Sequence, residues 1–335
     1  MFDIITFGSA SRDIILASKN FKAQPIKKFI TGKGLCLPFG SKIDIEDLHC
    51  LSGGGGTNTA VAFTKQGFIV AYCGMVGEDA DGQNLVSELR GLGVDVGFIR
   101  KTNKKLTNHS VILAPTDRDR TILVYRGAAG ELSKEDISWS KLKAEWFYLA
   151  PLSGNFVGLF ESIVDFAHQN KINVAVNPSN SQLSLPRKKI ERILRKTDIL
   201  ILNHEEASFL TGLPYQREKE IFKMIDGLVP GVAIMTKGPK GVVVSDGNYL
   251  YRAKILKTKV ADRTGAGDSF ASGFVSEYIR TKGDIERAIQ LGVANSAACL
   301  SNYGAKNGLL RKGDKWTKVK VSKESCAKTN FCSPK

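Results

Sequence analysis

Hydrophobic and polar positions alternate along this chain with a strand period and a helix period in turn. A buried strand is predicted at residues 2–8, and from residue 145 onwards strand-like and helix-like runs follow one another regularly. This alternation predicts βαβ units around a mostly parallel sheet, which is an α/β fold. The predicted strands of the second half are 146–150, 172–177, 198–202 and 232–236, and the predicted helices are 157–169, 187–195, 205–210, 217–228 and 285–300.

Two stretches, 14–51 and 94–126, break the alternation. Each consists of short alternating runs divided by glycine or proline, which is typical of strands and turns. In the second stretch the runs 108–114 and 121–125 flank a hairpin-like turn at 115–120. Two β-rich insertions of this kind can pair into a flap that excludes water from a reaction site. We therefore expect a small β-sheet lid built from both stretches.

The composition indicates the class of protein to which this chain belongs. The chain has 335 residues, 42% hydrophobic and 24% charged, as in ordinary globular proteins. No apolar run approaches the ~18 residues of a membrane span, and the N-terminus has a strand pattern rather than that of a signal peptide. A cytoplasmic protein without a membrane partner is expected. The cysteines have neither CxxC nor zinc spacing, which predicts buried or free thiols at Cys36, Cys50, Cys73, Cys299, Cys326 and Cys332.

The net charge of +15 is concentrated at the C-terminus. Residues 306–335 contain nine Lys or Arg and two acidic residues, a net charge of +7, which leaves +8 for the other 305 residues. A basic tail on a mildly basic body does not favour a nucleic-acid groove, because an anionic substrate explains mild basicity equally well. We predict one domain over residues 1–311 and a disordered basic tail over 312–335.

One glycine turn carries the most specific chemistry. Residues 262–268, Asp-Arg-Thr-Gly-Ala-Gly-Asp, follow a strand-like run at 256–261 and open a predicted helix at 269–283. A glycine turn entering a helix presents free N–H groups and the positive end of the helix dipole, which suits a phosphate. Asp268 lies within this turn and could take a proton from a hydroxyl that attacks the phosphate. The alternatives are a helix cap and half of a dinucleotide fingerprint, but Phe270 stands at the third glycine position of that fingerprint.

Two further groups stand near the N-terminus. Asp13 follows the first strand, where ligands bind in open parallel sheets, or it satisfies a turn of its own. Four glycines at 53–56 precede Asn58 and a helix-like run, so their backbone needs positive φ or the close approach of another group. A flexible linker is the alternative for the glycine run. The Asn58 amide would match an array of sugar hydroxyls.

Two other strand ends offer ligands for a phosphorylated molecule. Asn203 and Glu206 are three residues apart after a buried strand, which suits a divalent cation with phosphate oxygens or, alternatively, an ordinary helix cap. The sequence 236–241 is a glycine turn between strands, although no Walker A motif occurs in the chain. The small-residue helix 285–300 could approach a flat ligand or merely pack tightly.

Taken together, these motifs resemble the ribokinase, or PfkB, family of carbohydrate and nucleoside kinases over about residues 3–310. The C-terminal signature is matched at 262–268, the glycine signature at 53–58 and the Asn-x-x-Glu motif at Asn203 and Glu206. The resemblance implies a ribokinase-like three-layer α/β/α sandwich with a mostly parallel central sheet and a small β-sheet lid. It also implies ATP and Mg²⁺, a monovalent cation such as K⁺ in many members, and a homodimer formed through the lid.

The resemblance also implies residue roles. Asp268 would be the general base, and the N–H groups of Gly265, Ala266 and Gly267 would form the anion hole. The implied acceptor-binding residues are Ser11, Asp13, Gly53, Gly54 and Asn58. The implied nucleotide contacts are Asn203, Thr236, Gly238, Gly241 and, beside adenine, Asn295. Glu206 would organise Mg²⁺ through water, and Asp262 and Thr264 would bind the monovalent cation.

The function implied is ATP-dependent phosphorylation of a hydroxyl, a primary hydroxymethyl group, of a sugar. A nucleoside acceptor is the alternative within the family, and a sugar or nucleotide sensor without turnover is the alternative outside enzymes. Ser11 and Gly55 stand where ribokinases carry Asn and Lys, which weakens a ribose-specific interpretation. The presence of Asp268 argues against the sensor, because an inactive relative most easily loses its base.

Overall fold

A computed structural model describes residues 1–27, 32–115 and 120–333. Within these residues ten strands form a central sheet in the order β16-β15-β14-β13-β12-β11-β10-β1-β6-β7, four strands form a second sheet in the order β5-β2-β8-β9, and β3 pairs with β4. The strands are β1 (Phe2–Phe7), β2 (Ser11–Ser18), β3 (Ala23–Pro25), β4 (Lys33–Leu35), β5 (Asp47–Gly53), β6 (Val70–Gly77), β7 (Asp95–Thr102), β8 (Asn108–Pro115), β9 (Thr121–Tyr125), β10 (Ala144–Leu149), β11 (Asn173–Val176), β12 (Ile199–Asn203), β13 (Val232–Thr236), β14 (Val242–Ser245), β15 (Tyr249–Ala253) and β16 (Val321–Ser325).

Helices cover both faces of the central sheet. The helices are α1 (Gly55–Lys65), α2 (Ala80–Gly91), α3 (Asn155–Gly158), α4 (Phe160–Gln169), α5 (Asn180–Leu183), α6 (Arg187–Leu194), α7 (His204–Thr211), α8 (Glu218–Asp226), α9 (Ala266–Arg280) and α10 (Ile285–Leu300). Neighbouring residues of one strand, such as Ile4 and Ile5, enter two different buried clusters because strand side chains alternate. One cluster includes α1, α2, α9 and α10, and the other includes α4, α6, α7 and α8.

The central sheet is parallel from β7 through β13 and antiparallel from β13 through β16. The predicted α/β sandwich with a mostly parallel sheet is confirmed. Parallel strands place their carboxyl ends at one edge of the sheet, so the polar residues that follow β1, β12 and β13 lie at the same edge.

The second sheet combines both insertions, as predicted. β2 pairs antiparallel with β5 and parallel with β8, and β8 pairs antiparallel with β9. We call these four strands the lid. Its predicted boundaries need correction, because β7 is an edge strand of the central sheet and pairs with β6. Four residues of the predicted turn at 115–120, residues 116–119, lie outside the described residues.

Two further sequence predictions are wrong. Residues 256–261 form no strand, and the strand that pairs with β15 beyond β14 is β16. The C-terminal tail is not disordered over its described part. β16 hydrogen-bonds to β15, and Phe331 lies 6.4 Å from Phe222 between ring centroids and 4.6 Å from the Arg252 guanidinium. Main-chain pairing with an open sheet edge needs no hydrophobic periodicity, which explains why the sequence pattern did not reveal it.

The cysteine prediction is also wrong in part. Cys326 and Cys332 form a disulfide, whereas Cys36 and Cys50 are exposed free thiols and Cys73 and Cys299 are buried ones. Among the helices of the described residues, none has the length and apolar character needed to span a membrane.

Candidate active site

The predicted anion-binding turn lies at the N-terminus of α9. Gly265 caps the helix with φ 75°, and a Cβ there would lie 2.2 Å from Ala305 Cβ, so only glycine fits. Within the described residues the N–H groups of Gly265, Gly267 and Asp268 have no protein acceptor, and that of Ala266 meets a carbonyl only at 3.5 Å. A Cβ on Gly267 would meet no atom within 4 Å. The turn is thus an open cradle of donors at the positive end of the helix dipole.

Asp268 follows directly in the first turn of α9. Its Oδ2 accepts a 2.8 Å hydrogen bond from Nδ2 of Asn58 in α1. Burial raises the pKa of the Asp268 carboxyl, the Asn58 bond opposes this rise, and the charge of Asp13 adds to it. The other amide atom, Asn58 Oδ1, is buried without a partner among the described residues. Asp268 is therefore a desolvated carboxylate in a fixed orientation, which is the state expected of a general base.

The glycine run holds a second carboxylate, Asp13 of β2. Ser11 Oγ donates to Asp13 Oδ1 at 2.9 Å, and a Cβ on Gly53 would lie 2.0 Å from Asp13 Oδ2. Gly54 has φ 96°, and a Cβ there would lie 2.4 Å from the Ser9 carbonyl oxygen. The prediction that this run needs positive φ or close approach is confirmed, and the linker alternative is wrong. Burial raises the pKa of Asp13, against which the Ser11 hydrogen bond acts.

Asn203 and Glu206 form a reciprocal capping box at the start of α7. Asn203 Oδ1 accepts from the Glu206 N–H, and Glu206 Oε2 accepts from the Asn203 N–H, both at 2.8 Å. Burial raises the pKa of Glu206, and the charges of Glu205 and Asp268 contribute to this rise. The capping alternative is thus present, and it holds a half-buried carboxylate close enough to Asp268 for the two charges to interact.

This cleft has few side chains that could bind a metal directly. In the described residues no three His, Cys, Asp or Glu side chains are grouped as a metal site. Glu206 Oε1 accepts no hydrogen bond from the described residues. A single carboxylate oxygen fits Mg²⁺, which keeps several waters and is held by one or two carboxylates together with substrate phosphates.

The predicted nucleotide loop lies beside this carboxylate. Thr236 ends β13 opposite Asn203 of β12, and Gly238 opens a short 3₁₀ helix at Gly238–Lys240 with φ 52° and no atom near its Cβ position. Gly241 has φ 93°, and a Cβ there would lie 2.0 Å from the Ala253 carbonyl oxygen. Gly241 therefore permits strand packing, whereas Thr236 and Gly238 face accessible space.

Asn295 does not have the environment that the sequence predicted. It is 1% exposed; its Nδ2 donates to the Ser269 carbonyl at 2.7 Å, and its Oδ1 accepts from the Leu310 N–H at 2.9 Å. The side chain ties α9, α10 and the following segment together and has no surface for adenine. Tight helix packing, the alternative left open by the sequence, is the observed role.

Asp262 and Thr264 also differ from the prediction of a monovalent-cation site. The Arg120 guanidinium donates to Asp262 Oδ1 at 3.1 Å and to Thr264 Oγ1 at 3.2 Å. A positively charged side chain already lies at these oxygens, so they do not fit a second cation. Arg120 was not identifiable from sequence, because it ends a run of alternating charges in which no position is distinguished.

Three other residues near the cleft were missed. Ser110 of β8 hydrogen-bonds Asp13, and Tyr148 of β10 has a buried hydroxyl without a partner among the described residues. Lys306, counted with the basic tail, is buried, and its Nζ donates to Ser52 Oγ at 2.7 Å. Desolvation lowers the pKa of Lys306 to about 8. Register across the lid could have indicated Ser110, but no local pattern separates Lys306 from the solvated lysines that follow it.

Comparison with known proteins identifies the family of this chain. A family model described as pfkB family carbohydrate kinase matches residues 1–312. The ribokinase of Haemophilus influenzae is 28% identical over 267 residues, which cover 77% of this chain and 83% of that protein. The Arabidopsis thaliana ribokinase complexed with ribose and ATP has a TM-score of 0.75 at 22% identity, and the Methanocaldococcus jannaschii nucleoside kinase has 0.74 at 22%. Each of these two alignments covers 93% of this chain and 96% of the other.

The structural likenesses establish the ribokinase fold. The family match extends over nearly the whole chain and includes all three motifs of the cleft. The chain belongs to the pfkB family of carbohydrate kinases, which are phosphotransferases with an alcohol group as acceptor.

Proposed function

We propose that this protein transfers the γ-phosphoryl group of ATP to a hydroxyl, a primary hydroxymethyl group, of a sugar. The observation that carries the proposal is the pair formed by Asp268 and the open N–H cradle at the N-terminus of α9. A fixed, desolvated base lies directly beside a site for phosphate oxygens. Base and anion site must be adjacent if one oxygen is to lose a proton as it attacks phosphorus.

On the acceptor side, Asp13 and Asn58 are the hydrogen-bonding groups that face the cleft. The unpartnered Asn58 Oδ1 accepts from an acceptor hydroxyl, and the Asp13 carboxylate accepts from another. Gly53 and Gly54 carry no side chain, which lets the glycine run pack against the Asp13 carboxylate and the Ser9 carbonyl oxygen, and Ser11 donates a hydrogen bond to Asp13. Buried carboxylate and amide oxygens favour a polyhydroxylated ligand, since hydroxyls satisfy them as water does.

On the nucleotide side, Thr236 and Gly238 lie where ATP phosphates and ribose would bind, with Gly241 shaping the loop. Asn203 positions Glu206 through the capping box. Glu206 would hold Mg²⁺ through water, and the metal would supply charge neutralisation for the phosphate oxygens. The side chain of Asn295 is not part of this proposal.

In the reaction Asp268 accepts the proton of the attacking hydroxyl as its oxygen forms a bond to the γ-phosphorus. The bond between that phosphorus and the bridging β-γ oxygen breaks, and ADP leaves with the electron pair. The N–H groups of Gly265, Ala266 and Gly267 stabilise the equatorial oxygens of the transferring group. Positioning and charge stabilisation contribute more to such a transfer than proton removal does.

We propose a sugar rather than a nucleoside as the acceptor because the Haemophilus influenzae ribokinase is 28% identical to this chain. The likeness to a nucleoside kinase structure is at 22% identity and concerns the fold. A nucleoside acceptor is the second candidate, and a sensor without turnover is the third.

The test is ADP release with a panel of pentoses, hexoses, sugar phosphates and nucleosides, measured for the wild type and two variants. Asp268→Asn should keep nucleotide binding but lose about 10²- to 10⁴-fold in kcat, the usual range for general-base assistance. Asp47→Asn makes the same chemical change on an exposed lid residue and should leave kcat unchanged. Turnover of Asp268→Asn close to that of the wild type would disprove the assignment. Absence of any acceptor-dependent ADP release would support the sensor.

We propose a homodimer formed through the lid, because β9 is an edge strand with four consecutive exposed apolar residues, Ile122 to Tyr125.

We propose a cytoplasmic location, where ATP and sugars are available. The Cys326–Cys332 disulfide opposes this location, since such bonds are rare in reducing compartments. We propose no nucleic-acid role, because the tail packs against the domain through the pairing of β16 with β15 and the contact of Phe331 with Phe222.

A further inference from the structure

The turn that leads into the anion cradle is held by an arginine that adjoins the lid. Arg120 immediately precedes β9, and its guanidinium contacts Asp262 Oδ1 at 3.1 Å and Thr264 Oγ1 at 3.2 Å. The Asp262 side chain is 8% exposed and the Arg120 side chain 30% exposed. We propose that Arg120 takes the place of a monovalent cation and is a positioning residue for phosphoryl transfer. This inference rests on the proposed kinase function.

The hydrogen bonds of Asp262 account for both of its oxygens. Oδ1 accepts from the Thr264 N–H at 3.0 Å, from Thr264 Oγ1 at 2.9 Å and from Arg120, and Oδ2 accepts from the Gly304 N–H at 3.0 Å. The Thr264 carbonyl oxygen accepts from the Cys299 thiol at 3.5 Å. A K⁺ ion at these oxygens would displace donors and lie beside the guanidinium, a like charge. This set of partners is complete without a metal ion.

The position of Asp262 bears directly on the cradle. Gly304 binds the carboxylate, and the next residue, Ala305, packs against Gly265 so closely that a Cβ would not fit there. Asp262, the 304–305 backbone and the helix start therefore form one rigid unit. The charge that neutralises Asp262 fixes where the N–H groups of Gly265, Ala266 and Gly267 point. In this chain that charge comes from the lid rather than from solution.

Two consequences follow from a built-in cation. Turnover of the wild type should be the same, within about twofold, in KCl and in tetramethylammonium chloride at equal ionic strength. Removal of the guanidinium should misplace the donors, and small misplacements of positioning groups cost up to about 10²-fold in rate. It should also create a need for an added cation, because Asp262 is then buried without a neutralising charge.

The experiment compares Arg120→Gln, Arg120→Lys and the control Arg126→Gln, which removes an exposed arginine that directly follows β9. In tetramethylammonium chloride Arg120→Gln should lose about ten- to hundredfold in kcat, and K⁺ or guanidinium ions should restore part of it. Arg120→Lys should retain more activity than Arg120→Gln without added cation, and Arg126→Gln should resemble the wild type. A wild-type kcat more than about tenfold higher in KCl than in tetramethylammonium chloride would overturn the inference. An Arg120→Gln variant with the kcat of the wild type in every salt would also overturn it.

A second readout does not depend on the acceptor. The thermal unfolding midpoint is measured against KCl, with tetramethylammonium chloride as the ionic-strength control. The midpoint of Arg120→Gln should rise with K⁺, because the ion binds the folded state only, whereas the wild type should show no K⁺-specific rise. A K⁺-specific rise in the wild type, or none in Arg120→Gln, would overturn the inference. If no acceptor is phosphorylated, the proposed function fails, and this series still decides whether Arg120 replaces the cation.

Discussion

At the level of single residues, Asp268 combines catalytic geometry with an energetic cost. Burial raises the pKa of its carboxyl, so the ionised form that a base requires is disfavoured in the folded protein. The sequence identified this residue because its motif is specific. Its partner in space, Asn58, is 210 positions away, and their hydrogen bond follows from the packing of α1 against α9 rather than from any local pattern.

We therefore expect Asp268→Asn to stabilise the protein at neutral pH. A carboxyl whose pKa is raised by folding contributes stability below its unfolded pKa and loses that stability as pH rises through the folded pKa. The midpoint of thermal unfolding should thus be higher for Asp268→Asn than for the wild type at pH 8, and the difference should shrink towards pH 4. The asparagine can still accept from Asn58, so the hydrogen bond is retained. A difference that is constant across this range, or negative at pH 8, would contradict the expectation.

At the level of elements, the start of α9 contains two glycines with different roles. Gly265→Ala places a methyl group 2.2 Å from Ala305 Cβ at a φ of 75° and should cost roughly 1–3 kcal/mol in the free energy of unfolding. Gly267→Ala meets no protein atom and, as a better helix former, should be neutral or stabilising by up to about 1 kcal/mol. Its methyl group enters open space next to the N–H groups of the cradle and should therefore lower kcat. Urea unfolding and the ADP-release assay on both variants test this; equal stabilities or an unimpaired Gly267→Ala would contradict it.

The elements that sequence predicted well are those with a strong period or a specific turn. β1, β13 and α10 follow their hydrophobic patterns closely, and the glycine run at 53–56 was identified by its backbone requirement. The failures have tertiary causes. β7 is only half buried, and its pattern resembles that of a lid strand. β16 forms by pairing with β15, and the Arg120–Asp262 contact joins positions 142 residues apart. None of these contacts leaves a local signal.

At the scale of the whole molecule, the lid presents an apolar surface that the described residues of the chain leave exposed. Ile122, Leu123, Val124 and Tyr125 are each 42–55% exposed on the edge strand β9, and an edge strand with unpaired main-chain groups favours pairing with another chain. We expect the wild type to sediment as a dimer and Val124→Lys as a monomer, since a charge on an edge strand opposes such pairing.

The matched control for this expectation is Phe209→Lys, which makes the same kind of change at a residue that is 52% exposed on α7, away from the lid. Sedimentation equilibrium over a range of concentrations should show the Phe209→Lys variant as a dimer like the wild type. A wild type that stays monomeric at every concentration would refute the lid interface. A Val124→Lys dimer would place the contact between copies elsewhere. Arg120 adjoins β9 and contacts Asp262 beside the cradle. If the dimer interface orders β9, dissociation should also lower kcat, and the kcat of Val124→Lys measures this effect.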